Sequence, residues 1–136
     1  MFGSLDVSTS ALVAQRIRMD TIHGNIANAQ ATQRADGRPG PYKRRIAVFQ
    51  TGDGFGRPGV HVSKIVEDPS VGQRVYEPEH PHAIKSGPYQ GYVEYPNVDL
   101  PTEMVNAILA TRAYEANITA MEATKNMISA SLRILA

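Results

Sequence analysis

Residues 99–136 read DLPTEMVNAILATRAYEANITAMEATKNMISASLRILA, without a glycine among them. Leu100, Met104, Ala107, Thr111, Tyr114, Ile118, Met121, Lys125, Ile128, Leu132 and Leu135 are spaced alternately by three and four, the interval at which side chains return to one face of an α-helix. Only Thr111 and Lys125 interrupt the apolar line. Asp99 is a suitable N-cap, and Pro101 falls in the first turn, where its missing N–H leaves no bond unmade. The spacing predicts a helix running nearly to the last residue, roughly 54 Å long.

A helix of that length needs a long partner, and the other end of the chain supplies one. Leu5, Leu12, Met19 and Ile26 recur at a strict interval of seven, and Ile22 and Ala29 each follow one of them by three. This narrow seam predicts a second helix over about Ser4 to Ala31, roughly 42 Å long, with Gly24 as a point where it could bend or fray. Between the two, helix breakers accumulate: all nine prolines lie between Pro39 and Pro101, and no glycine follows Gly91. Inside a helix proline costs about 3 kcal/mol and glycine about 1 relative to alanine. The chain therefore divides into an N-terminal assembly helix (1–33), a central strand and loop region (34–98) and a C-terminal assembly helix (99–136). The expected fold is mainly α with a small β region, the terminal helices pairing antiparallel as a coiled-coil-like bundle. Strands are expected around 42–48, 60–66 and 74–77, with Gly52-Asp53-Gly54-Phe55-Gly56 as a turn after the first.

Composition narrows the function. At 136 residues the chain is one domain's worth of sequence, and its net charge of +1 gives no field to draw it onto nucleic acid or an anionic membrane. The absence of cysteine removes disulfides, thiolate metal sites and thiol nucleophiles. Met1 to Ser10 lack the basic start and apolar core of a secretory signal, so export without a cleaved signal is expected if the chain leaves the cytoplasm. His80 and His82, near Glu77 and Glu79, lie in a proline-containing loop and lack the three or four converging ligands of a metal site. The glycine cluster at 52–56 is not followed by the Lys-Ser/Thr of a phosphate loop. Arg34, Arg38, Lys43, Arg44 and Arg45 form the one basic cluster, read either as a solvated face or as a contact to an acidic neighbouring subunit. No nucleophile with its base stands out, and no catalytic, cofactor or small-molecule site is expected. The terminal seams offer more apolar surface than a two-helix pair covers, which favours assembly and predicts that the ends order fully only there.

Two motifs carry a resemblance. Asn25-Ile26-Ala27-Asn28-Ala29 resembles the N-terminal signature of the axial proteins of the bacterial flagellum, the rod, hook and hook-associated subunits. The stretch Gly91-Tyr92-Val93-Glu94-Tyr95-Pro96-Asn97-Val98-Asp99, continuing to Arg112-Ala113-Tyr114-Glu115-Ala116-Asn117, is similar to the C-terminal signature of the C-type proximal-rod family. Both ends of the chain are covered, and the region from about Arg34 to Ile84 only thinly. Here Gln30-Ala31-Thr32 follows the first motif, where the family usually continues with asparagine and threonine. The resemblance implies a structural subunit of the flagellar basal-body rod, exported by the flagellar type III apparatus and packed helically in the periplasm-spanning rod to transmit torque. Its implied partners are other proximal and distal rod subunits, the membrane-embedded ring and a rod-base adaptor. The implied assembly seams are Leu5, Leu12, Met19, Ile22 and Ile26 at one end, and Met104, Tyr114, Ile118, Met121, Ile128, Leu132 and Leu135 at the other. An export chaperone would share the small size and helical ends but would not need the two signatures, and a small enzyme would need chemistry the sequence does not display.

Overall fold

The computed structural model describes residues 2–136, in the order α1 (Phe2–Ala27), β1 (Arg45–Thr51), β2 (Val60–Glu67), β3 (Arg74–Tyr76), β4 (Tyr92–Glu94) and α2 (Leu100–Leu135). Met1, the first residue of the expected N-terminal segment, lies outside the described residues. The architecture is mainly helical with a small β region, as the breaker distribution requires.

Helix α2 starts at the expected cap. Asp99 is extended (φ −94°, ψ 107°), its carboxylate accepts the Thr102 N–H at 3.3 Å and the Thr102 hydroxyl, and Pro101 sits in the first turn. Helix α1 ends at Ala27 rather than at Ala31. There the Asn28 side chain donates to the Gly24 carbonyl at 2.8 Å, and the backbone tightens, with Ala29 N–H bonding to Ile26 O and Ala31 N–H to Asn28 O. An asparagine that competes for its own helix's carbonyls closes the helix instead of extending it.

The helices run antiparallel: Asn25 meets Glu103, Met19 meets Thr111 and Thr9 meets Met121. The numbers of each couple add to about 130, so Phe2 lies level with about Ile128 and the last two turns of α2 outrun α1. Between the helices the buried positions are small, Ala14 on α1 and Ala110 and Thr124 on α2, with Ile22 beside them. The predicted stripe does not coincide with this line. Ala107, Tyr114, Ile118, Met121 and Ile128 are half-buried, but Met104, Thr111, Lys125, Leu132 and Leu135 are exposed. Burial follows Glu103, Ala110 and Thr124, one residue before Met104, Thr111 and Lys125. Small side chains permit close helix approach, and Glu103 turns inward because partners await it there.

Strands β1 and β2 form an antiparallel hairpin, Arg45 opposite Glu67 and Thr51 opposite Val60, with a bulge between Val48 and Phe49. The glycine cluster forms its loop. The Val60 N–H donates to Ser10 Oγ at 3.1 Å, fastening the hairpin to α1. Strands β3 and β4 form a second antiparallel ladder, Arg74 opposite Glu94 and Tyr76 opposite Tyr92, with Val93 fully buried. Gly91 precedes β4 at φ +85°, and a Cβ there would stand 2.7 Å from the Tyr76 ring, so both backbone and space demand glycine. No helix among the described residues is long and apolar enough to cross a membrane.

Candidate assembly site

The entry to β1 is gripped from both sides by asparagines, one near the end of α1 and one in the turn between β4 and α2. Asn25, wholly buried near the end of α1, accepts the Arg45 N–H on Oδ1 at 2.9 Å and donates from Nδ2 to the Arg45 carbonyl at 2.8 Å. A helix side chain thereby takes the place of a neighbouring strand. Oδ1 also accepts the Tyr42 hydroxyl at 2.9 Å, and Nδ2 also donates to Glu103 Oε2 at 3.2 Å. Both donors and both lone pairs of the amide are then used. On the other side Asn97 Oδ1 accepts the Arg44 N–H at 2.8 Å, while its Nδ2 donates to the carbonyls of Asp68 and Ser70 at 3.1 Å each.

Charge completes this clasp. Glu103 is 1% exposed, and its Oε1 accepts Arg44 Nε at 2.5 Å, a buried carboxylate matched by a guanidinium and an amide. Asp68 lies 3.8 Å from the same arginine. Burial raises the Tyr42 phenol above its ordinary value of 10.0, which keeps it protonated as donor to Asn25.

Four of the five residues of the basic cluster pair with acids of the same chain, while Arg38 keeps 61% of its side chain exposed and Arg45, also exposed, lies over the Tyr42 ring at 5.6 Å. Arg34 binds Glu67 at 2.5 Å, Arg38 binds Asp36, Lys43 lies 3.5 Å from Glu94, and Arg44 holds Glu103. These contacts fasten the loop after α1 to β2, β4 and α2. The Arg34 bond is the first cause holding the Glu67 carboxyl below its ordinary 4.5.

Other motif residues serve local geometry. Ile26 is half-buried, Ala27 is the last helical residue, Asn28 closes α1, and Ala29 lies in the turn that follows. The Tyr92 ring meets Tyr76 edge to face at 5.2 Å, and Pro96 is buried. Arg112 and Glu115 pair on an exposed face at 3.2 Å, Tyr114 is half-buried, and Asn117 donates to the Ala113 carbonyl at 2.8 Å. Of the N-terminal seam, Leu5, Leu12 and Met19 are half-buried and Ile22 is buried. His82 Nδ1 lies 2.8 Å from Thr32 Oγ1, and among the described residues no group of three or more His, Cys, Asp or Glu is arranged to hold a metal ion. Sequence reading missed Arg44, Glu103 and Tyr42 as partners of the motif asparagines. A usable signal was present: Asn25 is a poor helix former off the apolar seam, and Glu103 stands beside an apolar line while a basic run waits elsewhere.

Comparison with known proteins places these ends. Residues 5–35 match the family described as flagella basal body rod protein, and residues 89–134 match the flagellar basal body rod FlgEFG protein C-terminal family. Both describe flagellar rod proteins, and between them they take in the clasp asparagines and both helices. Over nearly the full length the chain is similar to flagellar basal-body rod proteins FlgC. It is 40% identical to that of Borreliella burgdorferi (99% of this chain, 97% of the relative) and 43% identical to that of Bacillus subtilis (98% and 97%). It is 37% identical to that of Salmonella typhimurium (98% and 97%). The chain belongs to the FlgC family of flagellar basal-body rod proteins. It is a structural subunit of the flagellar basal body and not an enzyme.

Proposed function

We propose that this chain is a load-bearing subunit of the proximal rod, packed helically with other proximal and distal rod subunits so that torque passes through interlocked helices. The observation that carries the reading is the surface of α2 that its own chain leaves open: Met104, Val105, Ile108 and Leu109 are each more than half exposed. Burying one such side chain contributes on the order of 1.5–3 kcal/mol, and a lattice multiplies the gain over neighbours. In this reading the segments 1–33 and 99–136 are the assembly helices and 34–98 an outward spacer that braces them. The seam residues Leu5, Leu12, Met19, Ile22, Ile26, Met104, Tyr114, Ile118, Met121, Ile128, Leu132 and Leu135 divide the labour, the half-buried ones holding the pair and the exposed ones meeting neighbours. The chain leaves the cytoplasm through the flagellar type III apparatus without a cleaved signal, spans the periplasm as part of the rod, and meets the membrane-embedded ring and rod-base adaptor at the base.

Ile108→Asp tests this, because the site is open in the monomer. Export should match wild type and the purified variant should unfold as wild type does, while motility is lost. Normal swimming by that strain would remove the reading, and Glu122→Lys, another exposed α2 position, should be silent.

A further inference from the structure

The two turns by which α2 outruns α1 end in an apolar tip: Leu132, Ile134 and Leu135 are 62%, 84% and 83% exposed. Arg133 stands among them and makes no ion pair with the described residues. Near the same end of the molecule, the β1–β2 loop and the first turns of α1 flank a half-open cleft of about 450 Å³ lined by Asp6, Thr9, Phe55 and Pro58, and by Arg57, whose charge is matched by Asp53 at 2.7 Å. Phe55 is 86% exposed, yet its loop is built: the Asp53 carboxylate accepts the Phe55 N–H at 2.8 Å, the Arg57 N–H at 3.1 Å and Arg57 Nε at 2.7 Å. Asp6 is exposed and has no cationic partner among the described residues. One feature is an apolar helix end bearing a cation, the other a preformed aromatic cleft bearing a carboxylate, and neither charge has an opposite partner among the described residues.

We infer that the overhanging end of α2 docks into the cleft between Phe55 and the first turns of α1 of a second copy of this chain, with Arg133 against Asp6. The inference rests on the assembly reading above and names one of its contacts. Complementarity of shape and charge selects the copy as occupant: the cleft has the size of pockets that bury a ligand, about 300–1,000 Å³, and its loop is already ordered, so little freedom is lost on binding. The overhang lies beyond residue 2 while the cleft lies beside residues 3–10. The receiving copy must therefore be displaced along the helix axis by roughly 12 Å, at 1.5 Å per residue. Such a contact is heterologous, leaving a free tip and a free cleft at either end, and so propagates along a helical array.

The chain has no cysteine, which makes crosslinking clean. The Phe55→Cys/Leu135→Cys double variant replaces the chromosomal copy, and purified basal bodies are oxidised and run without reductant. Thiol-reversible dimers and higher multiples are expected, absent from either single variant, with dimers alone when the two single variants are co-expressed. Basal bodies that contain the subunit but give no crosslink overturn the contact, as does a benzophenone on Leu135→Cys that labels another rod protein and not this chain. Because cysteines could disturb incorporation, a charge exchange gives a second arm. Asp6→Arg and Arg133→Asp should each cut swimming severalfold and the pair should restore it, whereas additive losses overturn the contact. Absence of even the wild-type chain from basal bodies would overturn the assembly reading itself, a result separate from these.

Discussion

Replacing Asn25 by alanine would leave the Arg45 N–H and carbonyl and one Glu103 oxygen without their amide partner in a region closed to water. Each such loss costs about 1–3 kcal/mol, so the variant should be destabilised by roughly 3 kcal/mol or more. Urea unfolding at constant m-value measures it, and a change under about 1 kcal/mol would show that the clasp does not hold the fold together. The ion pairs around it carry a pH dependence with a definite sign. Arg34 lowers the folded pKa of Glu67 from its ordinary 4.5, so the stabilisation from that group is complete above pH 4.5 and lost as pH falls through the lowered value. Arg34→Met should lower stability near neutrality and flatten the loss on acidification. Asp36 and Asp68, also held low, by Arg38 and by Ser70 respectively, leave a residual acid limb.

Among the elements, α1 contains one replaceable weakness. A Cβ at Gly24 would meet only the Tyr42 hydroxyl, at 4.0 Å, an ordinary contact. Gly24→Ala should therefore raise the urea midpoint, with a gain of about 1 kcal/mol from helix propensity; a loss would mean that Tyr42 needs the empty space to reach Asn25. Helix α2 was legible because its cap, its spacing and the missing glycines agree, and the β1–β2 hairpin because Gly52 to Gly56 can hardly be anything but a turn. Strand β4 was not legible. Tyr92–Glu94 is three residues long and becomes a strand only by pairing with Arg74–Tyr76. The buried line of α2 was misplaced for a related reason: spacing ranks positions by apolarity, whereas Ala110, Thr124 and Glu103 are buried by closeness and by partners elsewhere in the chain. The clasp was half legible, since resemblance singled out Asn25 and Asn97 but could not show that they hold adjacent residues, Arg45 and Arg44, where the chain enters β1.

For the whole molecule, stability and assembly should separate. Leu132 lies on the overhang, so Leu132→Asp should leave monomer unfolding within about 0.5 kcal/mol of wild type, as surface substitutions do. It should nonetheless abolish swimming with export intact. A matching loss of monomer stability would mean that the overhang is part of the fold and not a surface held for neighbours. The antiparallel run of the helices has a mechanical consequence. The start of α1 and the end of α2 lie at one end of the molecule and the clasp lies at the other, so tension between those two helix ends peels α1 from α2 one turn at a time. Tension between the terminal end of α2 and the clasp end of α1 instead loads the whole helix pair in shear, where every turn resists together. A subunit held by neighbours at both ends is strained in the second direction, and the same few contacts that a pull on the start of α1 and the end of α2 would unzip become a strut.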